Sequence, residues 1–218
     1  MNNEDLKYNH EKREKEVFNF FNGVTLETDS IFLKNSDSTD VIPLRIQMVV
    51  IFSLIDIFAS YWYEYKGERG GQKDRFINWY DYFCRTNKNL KYKKDDKWDI
   101  IDSHRIYRLR CSLVHFFGLS EASELIYLAL VSNNLPEKEI KELETRFTKL
   151  KTNIIIKPHD FYVLVKNGGI TMFNEWIENI KEANNGNDNK KSEHIDGIER
   201  IWKKIQNEGA VGIVKPIK

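Results

Sequence analysis

The sequence predicts a mainly α-helical protein, a helical bundle that carries a small β-hairpin or two-stranded appendage. A long apolar segment runs from Pro43 to Tyr65, and most other apolar residues recur at helical spacing. The β-prone runs, ELIYLALVSN and NIIIK, are confined to the middle of the chain. These observations favour helices packed around one core, with the strands as an addition.

Composition excludes several classes of protein. The 218 residues include 34 Lys and Arg against 33 Asp and Glu, and 41% are apolar, which is typical of a globular chain and excludes collagen, coiled-coil rods and acidic tails. A net charge of +1 gives no overall attraction to nucleic acid or anionic lipid, so a phosphate-binding site must come from a local cluster of cations. The two cysteines, Cys84 and Cys111, cannot form a disulfide framework or a CxxC zinc module. With a charged N-terminus that lacks a signal peptide, we expect a cytoplasmic protein.

Residues 1–40 are predicted to be an N-terminal docking segment. A charged stretch is followed by Val17, Phe18, Phe20 and Phe21, a pattern that indicates a short helix with one aromatic edge on the core. One strand is predicted at Ser30 to Lys34.

Residues 41–120 are predicted to be the core helical bundle. Ser38, Thr39 and Asp40 offer caps before Pro43, and Gly67 ends the apolar helix that follows. Charged residues interrupt this helix at Arg45 and Asp56, so only the ten residues 46–55 are uninterrupted, against the ~20 that a membrane span needs. We therefore expect a helix buried in protein and no membrane association. A second helix is predicted from Asp74 to Cys84, and a third from Trp98 to Phe117, stopped by Gly118.

Residues 121–184 are predicted to hold the β appendage and packing helices, and residues 185–218 a linker and a C-terminal helix. A helix from Pro136 to Lys151 joins the two β-prone runs. Asn167, Gly168 and Gly169 are predicted to separate a helix at Asp160 to Lys166 from one at Thr171 to Ala183. The polar run NNGNDNKK is the linker, before a last helix at Ile195 to Ile205.

The third helix has two different faces. At about 100° per residue, Ile106, Leu109 and Leu113 share the side that we expect to be core. The remaining arc holds four polar side chains within about 80° of each other: Arg105, Arg108, Ser112 and His115. A basic, imidazole-bearing stripe is therefore predicted to face away from the core.

Local charge around this helix supports a nucleic-acid site. Between Arg85 and His115 there are nine Lys or Arg and four Asp, a surplus of five in a chain whose total is +1. The candidate nucleic-acid-binding residues are Lys91, Lys93, Lys94, Lys97, Arg105 and Tyr92. The lysines would contact phosphates, and the ring of Tyr92 would stack on an unpaired base. A solvated loop without a ligand explains the lysines equally well.

The segment LRCSLVHFFG resembles the motif of the HEPN superfamily (higher eukaryotes and prokaryotes nucleotide-binding), in which an Arg is followed after four to six residues by His near the end of a bundle helix. Arg110, Leu113, Val114, His115 and Gly118 match the motif positions. Cys111 departs from it, because the family commonly has a polar residue after the Arg.

This resemblance implies a metal-independent endoribonuclease of toxin or host-defence type, with RNA as its substrate, no cofactor and a homodimer whose motif helices form a shared cleft. It also implies a cognate partner such as an antitoxin-like nucleotidyltransferase. An imidazole with a pKa near 6.5 can exchange protons with a 2′-OH or a leaving 5′-oxygen, and a guanidinium stabilises the charge on the phosphate. The Cys111 departure leaves an alternative, a catalytically inactive HEPN-like module that binds RNA or nucleotide, or only dimerises.

Two arginines, Arg108 and Arg110, are alternative partners of His115 under this resemblance. Arg110 fits the flanking residues but lies about 140° from His115 around the helix, whereas Arg108 lies within about 20° of it. Asp56, an acid in an apolar helix, is a candidate to orient Arg110 or His115, or simply a structural ion-pair partner. Ser112 is a candidate hydrogen-bond partner of His115.

Two other kinds of site receive less support. Cys111 and His115 are one helical turn apart, as in a thiolate activated by imidazole, but Cys111 belongs to the apolar stripe of its helix. No metal site is predicted, since His10, His104, His159 and His194 show no ligand spacing to Cys, Asp or Glu.

Overall fold

A computed structural model describes residues 3–32, 43–85, 103–116, 128–130, 154–184 and 188–207, together with 136, 138–139 and 141–142. Its helices are α1 (Asn3–Phe32), α2 (Leu44–Lys66), α3 (Gln72–Trp79, continued by a π-helical stretch at Tyr80–Arg85), α4 (Ser103–Phe116), α5 (Pro158–Asn184) and α6 (Asp188–Asn207). Two short strands, β1 (Leu128–Leu130) and β2 (Ile154–Ile156), complete the described elements. The predicted mainly helical class is confirmed.

Helix α2 is the central helix of the core. It begins directly after Pro43, whose carbonyl accepts hydrogen bonds from the N–H groups of Ile46 and Gln47. It ends at Gly67, which has a φ of 69° and donates its N–H to the Glu64 carbonyl, as the sequence predicts. Eleven of its side chains are buried: Met48, Ile51, Phe52, Leu54, Ile55, Phe58, Ala59, Tyr61, Trp62, Tyr63 and Tyr65. By length and apolar composition alone, α2 is also the one helix of the described residues that could cross a membrane.

Aromatic side chains join the N-terminal and C-terminal helices to α2. The ring of Phe21 on α1 lies 4.8 Å from that of Phe173 on α5, and Phe173 lies 6.2 Å from Phe58 on α2. Tyr65 of α2 stacks on Trp176 of α5 with 4.8 Å between ring centroids. Since aromatic pairs at these separations contribute beyond their buried area, one continuous core connects α1, α2 and α5.

Helix α1 is longer than predicted, and the strand predicted at Ser30 to Lys34 is wrong for residues 30–32, which are helical. Residues 33 and 34 lie outside the described part of the chain. Tertiary contacts explain the longer helix: Phe32 stacks on Tyr162 with 4.2 Å between ring centroids. Asp29 accepts hydrogen bonds from Tyr162 at 2.6 Å and from Lys166 at 2.7 Å. These contacts to α5 hold the last turn of α1 in helical form despite its β-prone residues.

Helix α5 runs unbroken through the two glycines that were predicted to split it. A Cβ at Gly168 would lie 3.1 Å from Cys84 Sγ, and one at Gly169 would lie 2.5 Å from Phe58 Cε2. The glycines are therefore positions where α5 packs closely against α2 and α3. The prediction of two helices is wrong, because glycine occurs both where helices end and where two helices pack closely.

Replacing Gly169 with alanine is expected to lower the free energy of unfolding by roughly 1–3 kcal/mol. The added methyl group would meet the ring of Phe58, which is 2% exposed and packs against Trp79, so any shift of this ring disturbs the core. Gly23→Ala is the matched control, because a Cβ at this helical position has nothing within 4 Å. It should leave stability unchanged or raise it by up to about 1 kcal/mol. Equal urea midpoints for the two variants would contradict this packing argument.

The two strands pair in parallel, with Leu128 opposite Ile154 and Leu130 opposite Ile156. A two-stranded pair is thus present, but it is not a hairpin, since parallel strands require a crossover connection. Within that connection Lys138, Glu139, Lys141 and Glu142 are helical, and the rest of the helix predicted at Pro136 to Lys151 lies outside the described residues.

The C-terminal helix starts earlier than predicted. Helix α6 begins at Asp188, within the run interpreted as a linker, and continues beyond Ile205 to Asn207. Its Ile198, Ile201 and Ile205 are buried in the core. These apolar residues recur at helical spacing and anchor the helix to the core. The helix also includes the polar residues that precede them.

Candidate functional site

Helix α4 carries the motif residues and is fixed at its start and along its apolar face. Ser103 is buried, and its hydroxyl donates a hydrogen bond of 2.7 Å to Asp81 in the π-helical stretch after α3. Ile106, Leu109 and Leu113 are all buried, as predicted from their helical spacing. The helix therefore presents a defined face to α2 and α3. The predicted residues 98–102 and 117 of this helix lie outside the described part of the chain.

Arg110 of α4 is paired with Asp56 of α2. Nε and Nη2 of Arg110 donate hydrogen bonds of 3.1 and 2.8 Å to the same oxygen, Asp56 Oδ2. Gln72 at the start of α3 donates a third hydrogen bond to this oxygen at 3.3 Å. Arg110 is only 6% exposed and Asp56 is 22% exposed, so the pair is a part-buried contact. Pairing of Arg110 with a carboxylate of the preceding long helix is one of the predicted arrangements of Asp56.

The electrostatics of the pair keep the guanidinium charged. Burial alone would lower the pKa of Arg110, but the hydrogen bonds and the charge of Asp56 outweigh it, so the pKa is raised above its ordinary value. The guanidinium also lies 5.8 Å from the ring centroid of Tyr107. Burial raises the pKa of the Tyr107 phenol, which stays neutral beside the cation. The site thus holds a permanent cation against one carboxylate in a partly desolvated setting.

The side of α4 opposite to this ion pair carries Arg105, Arg108 and Ser112. Arg105 and Arg108 are exposed and Ser112 is half-buried, in agreement with the predicted polar stripe. His115 lies in the last turn of α4, and its side chain is outside the described part. Arg108 is therefore an exposed residue of α4, whereas Arg110 is buried against α2.

Most of the candidate nucleic-acid-binding residues belong to the segment between α3 and α4. The candidate nucleic-acid residues Lys91, Lys93, Lys94, Lys97 and Tyr92 all lie outside the described residues. Cys111, where the sequence departs from the HEPN motif that it resembles, is half-buried.

A shallow cleft of about 250 Å³ opens beside the ion pair, between α2 and α3. Its polar lining comes from Asp56, Ser60, Tyr61, Gln72 and Arg75. Gln72 and Arg75 were not predicted as site residues. Their position beside Asp56 depends on how the turn after Gly67 packs α3 against α2. The turn glycines are a signal for such a turn but do not set its register.

A second group of polar side chains lies elsewhere, where α1 meets α6. His10, Glu14 and His194 each offer a ligand atom, and these atoms all lie within 4.8 Å of one another. Neither histidine was predicted to be a metal ligand from the sequence. The sequence does contain part of the pattern of a metal site, since His10 and Glu14 are four residues apart on one helix. The third member is far away in the chain and only the fold brings it near.

No family model matches this chain, and no similar protein is found among curated proteins or solved structures. The resemblance to the HEPN superfamily therefore depends on the motif residues themselves.

Proposed function

We propose that this protein is a HEPN-like, metal-independent endoribonuclease of the toxin or host-defence type, acting as a homodimer through an arginine and histidine pair. The observation that carries the proposal is the buried ion pair between Arg110 of the motif and Asp56 of the preceding long helix. An acid in that helix that orients the motif arginine is what the family resemblance implies. Charge-assisted hydrogen bonds from two nitrogens fix the guanidinium plane.

The reaction needs proton transfer and charge stabilisation. One His115 imidazole takes the proton of the RNA 2′-OH, and the 2′-oxygen attacks the adjacent phosphorus. The bond from phosphorus to the 5′-oxygen breaks, and this oxygen receives a proton from a second His115, present as the protonated imidazolium and supplied by the other subunit of a dimer. The products are a 2′,3′-cyclic phosphate and a 5′-hydroxyl. An arginine stabilises the negative charge that develops on the phosphate, so the step requires no metal.

The two arginines have different parts in this proposal. Exposure of Arg108, and its position about 20° from His115 around α4, support it as the phosphate contact of its own subunit. Arg110 is held by Asp56 and acts as a positioning residue, or meets His115 of the second subunit at the dimer cleft. Arg105 extends the cationic face towards the RNA backbone, and Ser112 is a candidate hydrogen-bond partner of His115.

One observation favours a second function, an inactive HEPN-like module that binds RNA or nucleotide. Cys111 stands directly after Arg110, where the HEPN motif commonly has a polar residue. In this alternative the exposed Arg105 and Arg108 retain RNA by charge alone.

The test is incubation of the purified protein with single-stranded RNA in excess chelator. We expect cleavage that leaves 2′,3′-cyclic phosphate ends, and a rate at least about 100-fold lower for His115→Ala, the usual contribution of a general acid or base. His159→Ala, on α5, is the matched control and should retain the full rate. Light scattering establishes the oligomeric state in the same buffer. Absence of cleavage by a dimeric sample overturns the nuclease proposal, and salt-dependent RNA retention without cleavage selects the second function.

A further inference from the structure

Three side chains with metal-binding atoms converge where α1 packs on α6. His10 and Glu14 lie on the same face of α1, with 3.8 Å between His10 Nε2 and Glu14 Oε2. The ring of His194, from α6, lies 6.0 Å from that of His10 and almost perpendicular to it. One ligand atom from each of the three residues falls within 4.8 Å of the other two.

The buried nitrogen of His194 lacks a partner. His194 is only 3% exposed, and its Nδ1 lies 2.9 Å from the hydroxyl of Tyr65. Its Nε2 is buried and has no hydrogen-bond partner among the described residues. Buried polar atoms without partners are rare because each carries an uncompensated desolvation cost, so this nitrogen points to a bound species.

Contacts behind His194 resemble those that orient metal-binding histidines. Tyr65 also accepts a hydrogen bond of 3.2 Å from Asn179 on α5, which fixes the position of its hydroxyl oxygen. If Nδ1–H of His194 donates to that oxygen, the lone pair of Nε2 is left for a metal. Ligating histidines usually donate their other ring N–H in this way, which sets both tautomer and ring orientation.

The protonation states agree with this geometry. Burial, together with the nearby His10, lowers the pKa of His194 to about 4. Burial also lowers the pKa of His10, although Glu199 and Glu11 oppose the shift. Both imidazoles are therefore neutral at pH 7, the form that binds metals. Burial raises the pKa of Glu14, and a cation beside it would favour the carboxylate.

We propose that His10, Glu14 and His194 form a three-ligand site for a divalent transition metal ion, with zinc as the best fit. Two imidazoles and one carboxylate suit zinc, with a fourth position open to water, whereas Mg²⁺ and Ca²⁺ prefer oxygen ligands. Ligand atoms around tetrahedral zinc are roughly 3.3 Å apart. His10 and Glu14 are 21% and 22% exposed, so their side chains can close in on the buried His194. The ion would join α1 to α6 and does not depend on the proposed nuclease.

The test uses the full chain, stripped of metal by chelator and then desalted. Calorimetric titration with ZnCl2 should give one zinc per chain, and CoCl2 should give the visible absorption bands of a four- or five-coordinate ion. His10→Ala should weaken zinc binding by about 100-fold or more, since it removes one of the three ligands. Tyr65→Phe should weaken it about 10-fold with unchanged stoichiometry, as expected for a residue that acts through His194. His104→Ala, exposed on α4, is the matched control.

A thermal readout separates binding from loss of fold. Zinc should raise the Tm of the wild-type protein and of His104→Ala, and should leave that of His10→Ala unchanged, while Mg²⁺ raises none of them. Circular dichroism checks that each variant is helical. Zinc bound to His10→Ala as tightly as to the wild type, or much less than one zinc per wild-type chain, overturns the proposal. The nuclease assay runs in chelator, so either proposal can fail without the other.

Discussion

Replacing Asp56 with alanine is expected to lower the free energy of unfolding by about 3 kcal/mol. The substitution removes the carboxylate that accepts both hydrogen bonds from Arg110, and it leaves a guanidinium that is 6% exposed without its counter-charge. Asp56 itself is 22% exposed, which places the expected effect at the lower end of the range for buried pairs. Urea denaturation monitored by circular dichroism measures the difference.

A double-mutant cycle separates the ion pair from other effects of the substitution. Arg110→Met removes the cation, so the double variant Asp56→Ala with Arg110→Met should regain most of the lost stability, with a coupling energy of about 2 kcal/mol. Glu178→Ala is the matched control, because its ion pair with Lys181 is more than 60% exposed on both sides and should change stability by less than about 0.5 kcal/mol. An Asp56→Ala variant as stable as Glu178→Ala would show that the pair contributes little. RNA cleavage by the stable double variant then reports on function separately from folding.

The sequence was most informative where one residue has one plausible physical role. Pro43 and Gly67 mark the two ends of α2, since a proline is suited to the start of a helix and a glycine to the left-handed residue after its end. Ile106, Leu109 and Leu113 are buried because their spacing places them on one side of α4. Asp56 was identifiable as a residue in need of a partner, since an acid within an apolar helix is costly to bury alone.

The sequence was least informative where the role of a residue depends on a distant segment. The sequence around Gly168 and Gly169 does not show whether these glycines break a helix or allow close packing against Phe58 and Cys84. The last turn of α1 is helical because of contacts with α5. Such tertiary contacts override local preference, and their effect is not contained in any short window of sequence.

The two candidate sites show the same contrast. The pairing of Asp56 with Arg110 was one of the predicted arrangements, because the resemblance indicates the arginine and an acid among apolar neighbours needs a partner. The group of His10, Glu14 and His194 was missed, since its members come from helices at opposite ends of the chain. One helical turn separates the first two, but such spacing is common on exposed helix faces and gains meaning only from the third ligand.

Acidification from pH 7 to pH 4 is expected to destabilise the protein by roughly 3 kcal/mol through His194 alone. In the unfolded chain this imidazole titrates near pH 6.5, whereas burial and the neighbouring His10 lower its pKa to about 4 in the fold. Between these values the unfolded state binds the extra proton, so the stability present above pH 6.5 is lost progressively down to about pH 4. Below that pH both states are protonated and the contribution no longer changes.

Other titratable groups change how steeply the free energy of unfolding falls with pH, but the contribution of His194 keeps its sign. The pKa of His10 is also lowered by burial, so it adds to the loss, whereas burial raises the pKa of Glu14, and its effect opposes the loss. Asp29 on α1 acts at lower pH: burial would raise its pKa, but hydrogen bonds from Lys166 and Tyr162 outweigh this and lower it. Its contribution is therefore lost only as the pH falls through that lowered pKa.

His194→Asn isolates the effect, because the amide can keep the hydrogen bond to Tyr65 and cannot be protonated in this range. Urea denaturation in chelator at pH 7, 5.5 and 4.5 should show a smaller loss of stability for His194→Asn than for the wild type. His104→Asn, exposed on α4, should follow the wild-type profile. Parallel profiles for wild type and His194→Asn would contradict this prediction, because they would mean that the imidazole has the same proton affinity in the folded and the unfolded chain.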